Sequence, residues 1–144
     1  MAEQNLANHG KFYPPFHFFV IPVFVFHFLW SINHWRISGF SWTGLESVVL
    51  AAAFLTGAFA ARIMVLRVQD RVIRLEERLR YERILPADMR PRISEFTVNQ
   101  MVSLRFASDA ELPELARKVL DEKIGERKPI KQLIKNWRAD YLRA

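Results

Sequence analysis

Apolar residues gather in two blocks near the start of the chain, PFHFFVIPVFVFHFLWSINHW and SVVLAAAFLTGAFAA. From Phe16 to Trp35 the first block supplies about 20 residues, roughly 30 Å of helix, which matches a bilayer's hydrocarbon thickness. Tyr13 stands at one end and Trp30, Trp35 and Trp42 stand towards the other, the positions that interfacial aromatics prefer. Pro22 falls inside the block and predicts a kink, which lipid-buried helices tolerate. The second block is uncharged from Ser47 to Ala61. It then continues without glycine or proline through RIMVLRVQDRVIRLEERLRYERIL to Pro86. Those two residues are the usual helix breakers. The pattern therefore predicts one helix of some 40 residues, roughly 60 Å and about twice the bilayer core.

The expected fold class is all-α: a two-span transmembrane helical hairpin whose second span extends as a long cytoplasmic helix, followed by a small cluster of short helices. Its boundaries are an N-terminal cytoplasmic segment over 1–14, transmembrane helix 1 over 15–36 and an extracytoplasmic turn over 37–45. Transmembrane helix 2 with its cytoplasmic continuation covers 46–85, a Pro-containing linker 86–96, and a cytoplasmic helical tail 97–144.

Charge divides along the same line. Residues 1–61 hold two basic side chains, Lys11 and Arg36, and two acidic ones, Glu3 and Glu46, so the whole formal charge of +6 lies beyond them. Arg62, Arg67, Arg71, Arg74, Arg78, Arg80 and Arg83 follow the second span, and the positive-inside bias puts that side in the cytoplasm. Two spans return the N-terminus there as well. The expected location is the bacterial inner membrane, with both termini cytoplasmic. The start MAEQNLANHGKFYPP has neither a basic n-region nor an A-x-A-like site, so no removable signal peptide is read. With no cysteine, disulfides, thiolate nucleophiles and zinc ribbons are excluded.

A second periodicity runs along the long helix. Ala51, Phe54, Ala58, Ala61, Val65, Val68, Val72, Leu75 and Leu79 step alternately by three and four, the a/d spacing of a left-handed coiled coil. Beside them Ala53, Gly57 and Ala61 form a small-xxx-small row that admits a close helix in lipid. This face packs either on the chain's own first span and tail or on a partner chain. Asp70, Glu76, Glu77 and Glu82 interleave with the arginines, giving a mixed, solvated face and not a nucleic-acid patch. Arg62 and Arg67 sit at headgroup depth, where snorkelling to anionic lipid is the least costly role.

His17, Val20, Phe24, His27, Ser31 and His34 share one face of the first span. His27 lies near the midplane and needs a hydrogen-bond partner; Thr56 is at similar depth on the second span, and His34 can meet Glu46 at the rim. The alternative makes His27 or His17 an axial ligand to haem iron or chlorophyll magnesium among the neighbouring phenylalanines.

In the tail, Thr97 with Gln100 and Ser108 with Glu111 have the spacing of capping boxes. Pro113 moves the second of these helices towards Leu112, Gly125 is expected to stop it, and Pro129 to open the next. The apolar set from Val98 to Trp137 is too small for a self-sufficient domain, so the tail is expected to lean on the long helix or on a partner. There is no glycine-rich phosphate loop, no H-E-x-x-H and no histidine after His34, hence no enzyme reading.

The stretch from Tyr13 to Leu85, with LRFASDAELPEL (Leu104–Leu115) and IKQLIKNWRADYLR (Ile130–Arg143), resembles a family of small bacterial two-span membrane proteins of unknown function with a cytoplasmic helical tail. The resemblance implies that topology and no activity. The expected function is a non-catalytic accessory or scaffolding subunit of a larger inner-membrane complex, respiratory or photosynthetic. Its partners are other integral membrane subunits and anionic lipids, with bound lipid and no nucleic acid. The alternatives are a haem or chlorophyll carrier and an autonomous homo-oligomeric tether.

Overall fold

The computed structural model describes residues 5, 6 and 13–141, and no strand occurs among them. Five α-helices follow one another: α1 (Ile21–Ile37), α2 (Trp42–Ile84), α3 (Val98–Leu104), α4 (Leu112–Asp121) and α5 (Arg127–Leu133). A π-helical segment, Pro15–Val20, leads into α1, and a 3-10 turn, Arg90–Glu95, lies between α2 and α3. The chain divides into two compact units, Phe12–Leu66 and one made chiefly of Arg67–Ala144. Of the segment expected over 1–14, residues 1–4 and 7–12 lie outside the described residues.

The first unit is a helical hairpin. Pro15–Ile37 and Trp42–Ile84 are both long and apolar enough to cross a membrane, and only 6% of each apolar window is buried. A core helix of a soluble domain would be mostly buried. Pro22 stands in the first turn of α1, and the irregularity it demands takes the form of the preceding π turns, where Ile21 N–H bonds the Phe16 carbonyl. Helix α1 ends in a tight cap: Phe40 N–H reaches the Trp35 carbonyl at 3.0 Å and Gly39 N–H the Arg36 carbonyl at 3.3 Å. Gly39 adopts φ 68° and Phe40 φ 58°, left-handed conformations that compress the turn to a few residues. Consequently α2 begins at Trp42, inside the stretch expected as turn. Close approach there depends on Gly44, since a Cβ would stand 2.6 Å from Trp35 Cδ1 and 3.1 Å from Trp35 Cα. Trp35 Nε1 donates to the Ser41 carbonyl at 3.0 Å, and deeper in the hairpin Phe24 stacks on Phe54 at 5.8 Å.

The second unit is a small helical module built on the polar turns of α2. Its core joins Tyr81 and Leu85 at the end of α2 to Met89, Ile93, Phe96, Met101, Leu104, Phe106, Leu112, Val119 and Ile130. The tail thus leans on its own long helix, which supplies the large side chains that a segment of this size lacks. Thr97 and Gln100 form the full reciprocal box at the start of α3: Thr97 N–H donates to Gln100 Oε1 at 2.8 Å and Gln100 N–H to Thr97 Oγ1 at 3.3 Å. The second expected box is only half made. Glu111 N–H donates to Ser108 Oγ at 3.3 Å, but the Glu111 carboxylate turns away to accept from Lys135 N–H and Asn136 N–H at 2.8 and 3.0 Å.

Helix α4 does not run to Gly125. It stops at Asp121, where Lys123 takes φ 52° and Ile124 N–H bonds the Val119 carbonyl, so a lysine fills the left-handed position that glycine prefers. Helix α5 opens two residues before Pro129 and ends at Leu133, earlier than IKQLIKNW suggested. Past it Trp137 pairs with Ala107 in an isolated antiparallel bridge, and Arg138 N–H donates to the Phe106 carbonyl at 2.7 Å. This extended return stacks the Trp137 ring on Phe106, with centroids 4.9 Å apart.

Candidate interaction surface

From Arg67 onward α2 carries two unlike faces. One face is covered by the module: Ile73, Glu77, Arg80 and Tyr81 are buried and Asp70 is half-buried. On the other side the stripe of Val68, Val72, Leu75 and Leu79 is exposed, at 61, 50, 61 and 55%. Successive side chains of a helix are turned by about 100°, so positions 70, 73, 77, 80 and 84 fall opposite the a/d row. The module therefore occupies the back of the helix and leaves the seam bare.

The covered face is held by charge as well as by packing. Arg80, 4% exposed, donates from Nη2 and Nε to Asp109 Oδ1 at 2.6 and 2.9 Å, from Nη2 to the Ala107 carbonyl at 2.7 Å, and from Nη1 to Glu77 Oε2 at 3.1 Å. Burial pushes the Glu77 carboxyl above its ordinary value, and the Arg80 guanidinium offsets part of that rise. Arg127 Nη2 bonds Asp70 Oδ2 at 2.8 Å, tying the start of α5 to α2. A second buried arginine, Arg105, donates to Asp140 Oδ2 at 2.9 Å and to the Val102 carbonyl at 2.6 Å while lying over the Phe106 ring.

Two acidic residues read from the sequence as solvated helix charges, Asp70 and Glu77, are in fact drawn into the fold. Arg78 and Glu82 remain a surface pair at 4.0 Å. The signal missed was the apolar trio Ile73, Tyr81 and Ile84, which marks a second buried face and makes any charge between them a buried one.

The first unit disposes the other candidate residues as follows. Ala51 is buried in the hairpin, Phe54 stacks on Phe24, and Ala58 is half-buried, so the beginning of the seam is used within the chain. Ala53, Gly57, Ala61 and Val65 are exposed, and a Cβ at Gly57 would meet nothing within 4 Å. Arg62 lies over the Phe16 ring at 6.0 Å, and Arg67 is exposed.

His27 and Thr56 are not brought together. The hairpin contacts set Phe16 against Arg62, Phe24 against Phe54 and Trp35 against Gly44, a register that puts position 27 level with Ala51. His27 is exposed, and the Thr56 hydroxyl donates instead to its own helix, at the Ala52 carbonyl, 2.6 Å away. His34 and Glu46 are likewise exposed and form no ion pair. His17 is engaged locally, its Nδ1 lying 2.9 Å from the Tyr13 carbonyl. Among the described residues no three His, Cys, Asp or Glu side chains converge as a metal site.

Comparison with known proteins bears out the resemblance as one to a family of unknown function. The model of a family of unknown function, DUF6526, matches residues 1–144, and the chain belongs to that family. No curated protein and no solved structure matches it.

Proposed function

We propose that the chain is a non-catalytic scaffolding subunit, anchored in the bacterial inner membrane by two spans and docked to other subunits of a larger assembly. The observation that carries this reading is the bare apolar stripe Val68–Val72–Leu75–Leu79 on a helix segment otherwise rich in charge. The chain has already spent its own folded module on the opposite face, so the stripe is available to another polypeptide. The arginine-rich turns after the second apolar block favour a cytoplasmic module by the positive-inside bias, with Arg62 and Arg67 at the depth of anionic headgroups. The exposed aromatic side chains of the first span, with Phe18 in the π-helical lead and Phe26 and Trp30 in α1 each more than 60% exposed, offer a second surface to lipid or to neighbouring spans.

Site-specific photo-crosslinking in native membranes tests this. A photoreactive residue placed at Val72 and, separately, at Phe26 is expected to capture a discrete second membrane protein from at least one position. Adducts containing only lipid or only this chain, from both positions, would overturn the scaffold reading.

A further inference from the structure

The stripe's heptad spacing and its flanking charges together point to an occupant. With Val65, Val72 and Leu79 as a positions and Val68 and Leu75 as d positions, the central heptad sets Val72 at a and Leu75 at d, the combination that favours a parallel two-stranded coiled coil, while Val68 at d and Leu79 at a reverse it on either side. The flanking positions are then Arg71 and Arg78 at g, and Gln69, Glu76 and Arg83 at e. In a parallel pair each g residue faces the e residue of the partner's next heptad, so Arg71 of one copy meets Glu76 of the other, twice by symmetry.

Charge bookkeeping inside the chain fits this pairing. Asp70 is taken by Arg127, Glu77 by Arg80 and Glu82 by Arg78, whereas the exposed Arg71 and Glu76 form no ion pair among the described residues. The like-charged g–e contact, Arg78 with the second copy's Arg83, is offset by Glu82 beside Arg78 and falls where the stripe ends. The module lies on the b, c and f side, through Ile73, Glu77, Arg80 and Tyr81, and does not obstruct the seam.

We infer that α2 pairs with α2 of a second copy of this chain as a parallel two-stranded coiled coil along Val68, Val72, Leu75 and Leu79. The inference rests on the membrane-anchored scaffold reading. Copies inserted with one topology present α2 in the same direction, and confinement to a bilayer raises the effective concentration that so short a seam requires.

The test uses the full-length chain in nanodiscs, and the absence of native cysteine makes single-cysteine variants clean. Under mild oxidation Val68→Cys and Leu75→Cys are both expected to give disulfide-linked dimers, severalfold more than Arg74→Cys on the exposed c position. Self-linking at both levels requires the parallel, in-register arrangement. On the Leu75→Cys background, Arg71→Glu alone and Glu76→Arg alone should each reduce dimer yield, and the double exchange should restore it. Linking no stronger than at Arg74→Cys, linking at only one level, or failure of the double exchange to restore yield would each overturn the inference. If native-membrane crosslinking from Val72 captures only a different polypeptide, the second copy is excluded while the scaffold reading stands. If instead the seam self-links but Val72 and Phe26 capture no other protein, the scaffold reading fails and the dimer survives.

Discussion

Arg80 and Asp109 meet through two hydrogen bonds to one carboxylate oxygen, at 2.6 and 2.9 Å, with the guanidinium buried and the carboxylate 67% exposed. The pair joins the covered face of α2 to the loop before α4, across 29 residues of sequence. Because the arginine also bonds Glu77 and the Ala107 carbonyl, it is the hub of the junction and Asp109 is its solvent-facing clamp. Removing a buried partner leaves an uncompensated charge, so Arg80→Ala should destabilise the module by about 3–5 kcal/mol, whereas Asp109→Asn should cost about 1 kcal/mol or less. Limited proteolysis of the full chain in detergent, read as the rate of cleavage beyond Pro86, distinguishes the two. Equal rates for both variants would refute the hub.

Glu77 gives this junction a pH dependence of definite sign. Its carboxyl is raised in the folded module, chiefly by burial, against an ordinary value of 4.5. A raised acid binds its proton more tightly when folded, so its contribution to stability is fully present below 4.5 and is lost as pH rises through the folded value. Acidification from neutrality towards 4.5 should therefore stabilise the module through this residue, and Glu77→Gln should remove that slope. Asp88 acts in the opposite sense: its hydrogen bond from Arg117 lowers its carboxyl below the ordinary 3.8, and its contribution is lost as pH falls through the lowered value. Thermal unfolding of wild type, Glu77→Gln and Asp88→Asn across pH 3–8 checks both signs, with ~pH 4.5 and ~pH 3.8 as the dividing points.

Much of this architecture was legible in the sequence because it depends on local signals. The apolar blocks, the unbroken run to Pro86 and the Thr97–Gln100 box each specify their element within a few residues. The register of the hairpin was not legible in that way. Matching His27 to Thr56 by depth assumed a symmetric turn, whereas Gly39, Phe40 and Gly44 shorten the turn and shift every level below it. The buried charges were hidden for another reason. Asp70, Glu77 and Arg80 look like surface residues until Asp109 and Arg127, far along the chain, arrive to pair with them. The bare stripe at Val68–Leu79 was visible as a pattern, but only the position of the module decides that the chain leaves it uncovered.

Lys123 occupies a left-handed position, φ 52°, at the end of α4, with Lys123 N–H bonded to the Leu120 carbonyl at 3.1 Å and Ile124 N–H to the Val119 carbonyl at 3.0 Å. A side chain pays a steric penalty there that glycine avoids, and the bonds that close the cap are backbone bonds unaffected by substitution. Lys123→Gly should therefore stabilise the module by up to about 1 kcal/mol, whereas Lys123→Val should destabilise it by a comparable amount. Thermal unfolding of the two variants in the same detergent orders them; a glycine variant less stable than wild type would contradict the assignment.

Gly44 sets how closely the two helices of the hairpin approach at Trp35. The nearest atoms to an added Cβ include the Trp35 backbone, which cannot swing aside as a flexible side chain would. Gly44→Ala should separate α1 from α2 at the turn, weakening the bond from Trp35 Nε1 to the Ser41 carbonyl and costing about 1–3 kcal/mol. Tryptophan fluorescence of the full chain, in a background where Trp30, Trp42 and Trp137 are phenylalanine, reports on Trp35 directly and should shift as its indole loses that partner. Gly57→Ala is the matched control, since a methyl group there meets nothing in the chain and should leave Trp35 emission unchanged.

Tyr81, near the end of α2, is fully buried against Phe96, and its hydroxyl has no hydrogen-bond partner among the described residues. The ring earns its place by packing: its edge-on contact with Phe96, at 5.2 Å, closes the core where the long helix ends. An unsatisfied buried hydroxyl costs about 1–3 kcal/mol relative to one bonded in water, and phenylalanine keeps the ring while removing that cost. Tyr81→Phe is therefore expected to raise the module's stability by about 1 kcal/mol, and Tyr81→Ala to lower it by about 3–5 kcal/mol through the cavity it leaves. Hydrogen exchange of the α3 amides, which pack on this core, reads both changes in the intact chain. Faster exchange in Tyr81→Phe than in wild type would mean that the hydroxyl is bonded, and the assignment of the residue to pure packing would fail.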